Sequence, residues 1–132
     1  MKYALDTSII IDYLNGNTAV MTQFRHVAKN KTPICIPSVV DYEVLRGFYH
    51  TPSKHKEAIY SKLRVNCPVI EVNTEIWDCA ASIWAKLRKQ GHTVGDADII
   101  IAALCIVKSY TLVTHNIKHF ADIDGLLVED WS

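Results

Sequence analysis

Short apolar segments alternate with longer stretches whose apolar residues recur every third or fourth position, and this alternation most constrains the fold. The short segments are Tyr3 to Leu5, "TPICIPS", "PVIEVN", "TLVTHN" and "GLLVEDW". Between them come "TSIIIDYL", "TAVMTQFRHVAKN", "VVDYEVLRGFYH", "SKHKEAIYSKLRVN", "TEIWDCAASIWAKLRKQG" and "IIIAALCIVKSY", with "IKHFADI" a short helix or turn. A period near two with strong bracketing reads as strand, and a period near 3.6 reads as helix. The order is strand, helices, strand, helices, strand, helix, helix, strand, helix, strand. Such a chain is expected to form a mostly parallel sheet of about five short strands with helices on both faces, a three-layer α/β/α fold.

Caps and breakers sharpen the boundaries. Thr18, Ser38 and Thr74 are candidate N-caps, "NGN" ends the first helix, and Gly91 ends the longest. On that longest helix Ile76, Cys79, Ala80, Ile83, Trp84 and Leu87 form the predicted inner stripe. On its counterpart after the first loop, Val20, Met21, Phe24, Val27 and Ala28 do so. Ala58, Ile59 and Leu63 are the inward set of the basic helix.

At 132 residues the chain reads as one domain, 1–132, long enough to bury a core without disulfides or a structural metal. Cys35, Cys67, Cys79 and Cys105 are scattered singly, which suits packed thiols better than a zinc site. Fourteen Lys and Arg balance fourteen Asp and Glu, which excludes an overall basic coat for nucleic acid but not a local patch. The longest apolar run, "IIIAALCIV", is too short to span a bilayer, and no signal segment is evident. The expectation is a soluble, cytoplasmic protein.

Acids fall where a parallel sheet binds ligands, beyond the carboxyl ends of its strands. Asp6 follows the first strand directly, and Asn116 lies just after "TLVT". Asp96 and Asp98 precede "IIIAA". Glu43 shares a helix face with Val39, Val40, Val44 and Gly47, where a lone carboxylate costs desolvation energy. Each has a plain alternative. Asp6 is a cap for the first helix, Asp96 or Asp98 a dipole partner for the next, Glu43 an ion-pair partner for Arg46, and Asn116 a turn residue. Taken together, the acids need a counter-charge if they meet. A hard divalent cation, Mg²⁺ or Mn²⁺, supplies one and activates water against a phosphodiester.

Four blocks, "LDTSIIIDYL", "IPSVVDYEVLRG", "VGDADIIIAALC" and "LVTHNIKHF", occur in an order that resembles PIN-domain proteins, specifically the VapC-type toxins of toxin–antitoxin pairs. The resemblance spans essentially the whole chain. It implies a Mg²⁺- or Mn²⁺-dependent endoribonuclease that hydrolyses RNA, with tRNA a typical family target, by a metal-activated water. It implies a cognate antitoxin and a homodimer as partners. It places the metal site on Asp6, Glu43 and Asp98, with Asp96 as an extra acid and Thr7, Ser8 and Thr114 in the outer shell. Many relatives carry a fourth acid where this chain has Asn116, so Asn116 is expected to orient water without adding charge.

Two other classes compete. A PIN-like module that binds RNA or protein without cutting it would not need the acids. A doubly wound phosphatase would need a second Asp at position 8, which is Ser8. Among the histidines, His115 and His119 are either RNA contacts or ordinary surface residues. Lys54, His55, Lys56, Lys62 and Arg64 are either an RNA path or a solvated helix face. Phe48, Tyr49, Ile59 and Tyr60 belong either to a groove for an antitoxin or to the core.

Overall fold

Strand β1 (Tyr3–Leu5) is the middle of a five-stranded sheet. The computed structural model describes all 132 residues, Met1–Ser132. The chain continues through α1 (Thr7–Leu14), α2 (Thr18–Lys29), β2 (Ile34–Pro37), α3 (Ser38–His50), α4 (Lys54–Asn66) and β3 (Val69–Ile70). It then runs through α5 (Thr74–Lys89), α6 (Asp96–Lys108), β4 (Thr111–Val113), α7 (Ile117–Phe120) and β5 (Val128–Glu129). All four strand pairings are parallel and the order is β3-β2-β1-β4-β5. Ala4 lies opposite Cys35 on one side and Leu112 on the other. The expected α/β architecture is the one observed.

The topology follows from connection chirality. The chain steps outward from β1 to β2 to β3, then returns past β1 to β4 and β5. Right-handed crossovers made in opposite directions put the connecting helices on opposite faces. Strands covered on both faces must be apolar throughout, and Ala4, Leu5, Ile36, Leu112 and Val113 are all completely buried. Helix α6 is apolar nearly all round because it lies deep: Ile101 to Cys105 are all buried, and it packs along α5.

Several local expectations shift. The caps of α2 and α5 are Asn17 and Asn73, each accepting from the backbone N–H three residues on, Val20 at 3.0 Å and Ile76 at 2.9 Å. Thr18 and Thr74 become the first helical residues instead. Asn caps at least as well as Thr, so tandem Asn-Thr pairs are settled by the earlier residue. Ser38 does not cap α3, whose N-cap is Pro37 with no side-chain bond. Trp84 lies outside the inner stripe of α5, 45% exposed, with the Arg88 guanidinium 4.9 Å from its ring. Ala28 and Ala58 face outward. On α4 Leu63 is buried as expected, joined by Tyr60, whose hydroxyl donates to Asp41 Oδ1 at 2.7 Å.

Tyr60 therefore belongs to the core, Tyr49 is 89% exposed, and Phe48 and Ile59 are half-buried against the core. The four cysteines are free, three buried and Cys79 half-buried. Burial pushes the Cys67 thiol up to about 11 and is the main cause of a Cys35 value of about 12, so both are poor nucleophiles. No helix is long and apolar enough to cross a membrane.

Candidate active site

The strand order reverses between β1 and β4, which opens a crevice at the carboxyl ends of those two strands. Asp6 and Thr114 stand on its two sides, one residue beyond each strand. The Asp6 N–H donates to Val113 O at 2.9 Å, carrying the ladder one residue further. The Thr114 hydroxyl donates to Asp6 Oδ2 at 2.7 Å. Both residues are buried, Asp6 at 5% exposure and Thr114 at zero. A carboxylate so placed is tolerated only because its oxygens are partnered.

Asp6 is also the N-cap of α1, with Oδ1 accepting from the Thr7 N–H at 2.8 Å. The cap reading and the site reading thus describe one residue. One oxygen holds the helix, and the other faces Thr114 and, at 3.5 Å, the Ser8 hydroxyl.

Helix α3 packs against α1 and α6 and delivers Glu43. The Thr7 hydroxyl donates to Glu43 Oε1 at 2.8 Å, linking the first turn of α1 to α3. Glu43 Oε2 lies 3.7 Å from Arg46, a loose and largely solvated ion pair. Helix α6 delivers Asp98 from its first turn. The Asp98 carboxyl is held above the usual range, first by burial and next by the charge on Asp6. His119 pulls the other way and Glu43 adds to the rise. His119 Nδ1 lies 3.4 Å from Asp98 Oδ2. Like charges that raise the proton affinity of Asp98 form a negative focus suited to a cation.

The fold brings Asp6, Glu43 and Asp98 to this focus, with Thr7, Ser8 and Thr114 beneath them. Asp96 is not drawn in: it is exposed on the first turn of α6 and makes no side-chain hydrogen bond or ion pair. Asn116 is exposed at the rim. Its backbone N–H donates to the Thr114 hydroxyl at 2.9 Å, and its carboxamide makes no cap bond. With the side chains as they stand, no group of three or more His, Cys, Asp or Glu is close enough together to hold a metal ion. Hard oxygen donors in an open arrangement suit an ion that keeps several of its waters, as Mg²⁺ does, and do not suit a structural zinc.

His115 was missed as an organising residue. Its ring sits between Asp12 on α1 and Asp130 near the C-terminus, bonded to both, with Nδ1 2.8 Å from Asp130 Oδ1. Those partners are far away in sequence, and no local spacing announces them. Of the basic stretch on α4, Lys56 shares a cavity with Thr7 and Glu43. Arg64 pairs with Asp41 at 3.4 Å, and Lys62 lines a cavity of about 760 Å³ at the other edge of the sheet, beside Pro33, Pro68 and Tyr110. A smaller cavity of about 260 Å³ touches Thr7 and Glu43.

The PIN domain family matches residues 3–126 of the chain. Ribonuclease VapC2 of Rickettsia felis is 33% identical, the alignment covering 99% of this chain and 98% of that protein. The tRNA(fMet)-specific endonuclease VapC of Shigella flexneri is 27% identical, over 100% and 99%. Among solved structures, VapBC2 from Rickettsia felis bound to a DNA fragment from their promoter superposes with a TM-score of 0.92 at 27% identity, covering the whole of both chains. VapBC-1 from nontypeable Haemophilus influenzae gives 0.85 at 27% identity, over 99% and 98%.

Proposed function

The chain belongs to the PIN-domain family, and from that premise we propose that it is an endoribonuclease of the VapC kind, the toxin of a toxin–antitoxin pair. One observation carries the reading: Asp98 is near enough to Asp6 and Glu43 for the charge of each to raise its proton affinity. Ribonuclease names among the full-length relatives support the reaction class.

Asp6, Glu43 and Asp98 are the residues proposed to hold Mg²⁺ or Mn²⁺. Bound there, the ion supplies Lewis acidity, making water more acidic and offsetting charge on the phosphate. The chain's own part is positional. The Thr114 hydroxyl and the Thr7 N–H each hold one oxygen of Asp6, and the Thr7 hydroxyl holds one oxygen of Glu43 while the other lies 3.7 Å from Arg46, so both carboxylates are fixed in orientation. Asn116 offers an exposed, uncharged carboxamide to orient the attacking water. Asp96, one step outward on α6, is a carboxylate available to a second ion. RNA is the substrate, with tRNA the proposed target class on the strength of the Shigella relative. A cognate antitoxin and a second copy of this chain are the proposed protein partners, supported by VapBC structures among the neighbours.

The test uses the chain purified free of partner. Cleavage of tRNA is expected to stop in EDTA, to return with Mn²⁺ or Mg²⁺, and to exceed cleavage of an unstructured RNA of equal length. Cutting that persists in EDTA contradicts the metal assignment. A folded chain that binds RNA and cuts none supports the binding module instead.

A further inference from the structure

We propose that His115 is a positioning residue, held doubly protonated between Asp12 and Asp130, that fixes the Thr114–Asn116 turn against Asp6. Its kinetic consequence rests on the nuclease reading above; its protonation state does not.

The argument begins with hydrogen-bond inventory. Nδ1 of His115 lies 2.8 Å from Asp130 Oδ1, and Nε2 meets Asp12 Oδ2. Ionised carboxylates only accept, and a neutral imidazole has one N–H to give. Both contacts are satisfied together only by the imidazolium. Asp12 reaches it from α1 and Asp130 from the C-terminal tail; the remaining neighbour named by a bond is the uncharged Ser8 hydroxyl. The ring is only 21% exposed, so water is a poor substitute for either carboxylate. Burial works against the charge, yet the bonds to Asp130 and Asp12 outweigh it and the net proton affinity is raised.

With both ring nitrogens committed, His115 has none left to move a proton or to contact RNA. Its influence is through position. Its backbone N–H donates to the Ser8 hydroxyl at 3.3 Å. On one side Thr114 donates to Asp6 at 2.7 Å, and on the other the Asn116 N–H donates to Thr114 at 2.9 Å. Thr114 and His115 thereby tie the end of β4 to Asp6 and Ser8, and Asn116 closes the turn onto Thr114. The clasp adds α1 and the tail to that tie. The tail is itself anchored, because Trp131 is buried with its ring edge-on to Tyr3 and Phe24. The last residues of the chain therefore act on the geometry of the first site residue.

Two measurements on the whole chain test this. In nitrogen-labelled protein at neutral pH, long-range ring correlations of His115 are expected to show both nitrogens protonated. A single neutral tautomer overturns the clasp. In His115→Gln, kcat on RNA is expected to fall about tenfold with KM within about twofold, the split that marks lost positioning rather than lost binding. Unchanged kcat, or a rise in KM alone, overturns the positioning role. The milder Asp12→Asn serves if His115→Gln does not fold, and is expected to show the same split. If the wild-type chain cuts no RNA, the nuclease reading fails separately. The backbone signals of Thr114 and Asn116 then decide the positional claim: they are expected to move in both variants, and unmoved signals overturn it.

Discussion

Thr114 is the residue on which the crevice turns. Its hydroxyl is wholly buried, gives its proton to Asp6 and accepts from Asn116. Thr114→Val keeps the shape and removes both bonds, one of them to a charged group. The expected cost is about 2 kcal/mol in chemical denaturation, from a charge-assisted bond lost and a buried carboxylate left short of a donor. His115 makes a second prediction, in pH. Its folded proton affinity lies above the ordinary value of 6.5, so its contribution is complete below that pH and is lost as pH rises through the raised folded value. The stability difference between wild type and His115→Gln, measured across pH, is expected to be largest in mild acid and to shrink toward alkaline pH.

At the scale of elements, α3 carries the site yet holds a glycine. Gly47 is exposed, one turn beyond Glu43 on the wall of the same cavity, and a Cβ built there meets nothing within 4 Å. Nothing inside the chain demands glycine at that point. Gly47→Ala is therefore expected to stabilise by about 0.5–1 kcal/mol, the usual helix-interior difference, read as a higher denaturation midpoint with unchanged slope. The elements themselves were legible. Period and punctuation found all five strands and the first six helices, because short strands beside long amphipathic helices leave little ambiguity; the four-residue α7 was too short to tell from a turn. What period could not decide was which of two adjacent cap formers begins a helix, as at Asn17 and Thr18. It also could not decide whether an aromatic at the margin of a stripe turns inward, as with Trp84. The nearness of Asp6 to Asp98 was readable because strand ends and helix starts in a parallel sheet share one edge, whereas the role proposed for Glu43, in the middle of α3, came from the family resemblance. The Asp12–His115–Asp130 clasp was not, since only the folded chain brings α1, the end of β4 and the tail together.

At the scale of the molecule, the tail closes the structure. Trp131 is 4% exposed, between Tyr3 of β1 and Phe24 of α2, with ring centroids 5.3 and 5.2 Å away. Trp131→Ala is expected to cost about 3–5 kcal/mol in chemical denaturation, as large-to-small changes in a packed core do. The same loss frees Asp130 from His115, so cleavage is expected to weaken even where the variant remains folded. The central claim is that the strand-end carboxylate works as a charge and not only as a cap. Asp6→Asn isolates that distinction, because Asn caps a helix as well as Asp does and keeps an acceptor for the Thr7 N–H. The deciding measurement is the rate of RNA cleavage by folded Asp6→Asn with saturating Mn²⁺. The account predicts a loss of about a hundredfold or more against wild type, as expected when a pre-placed charge is removed from a reacting centre. A rate equal to wild type, still dependent on the metal, would contradict it.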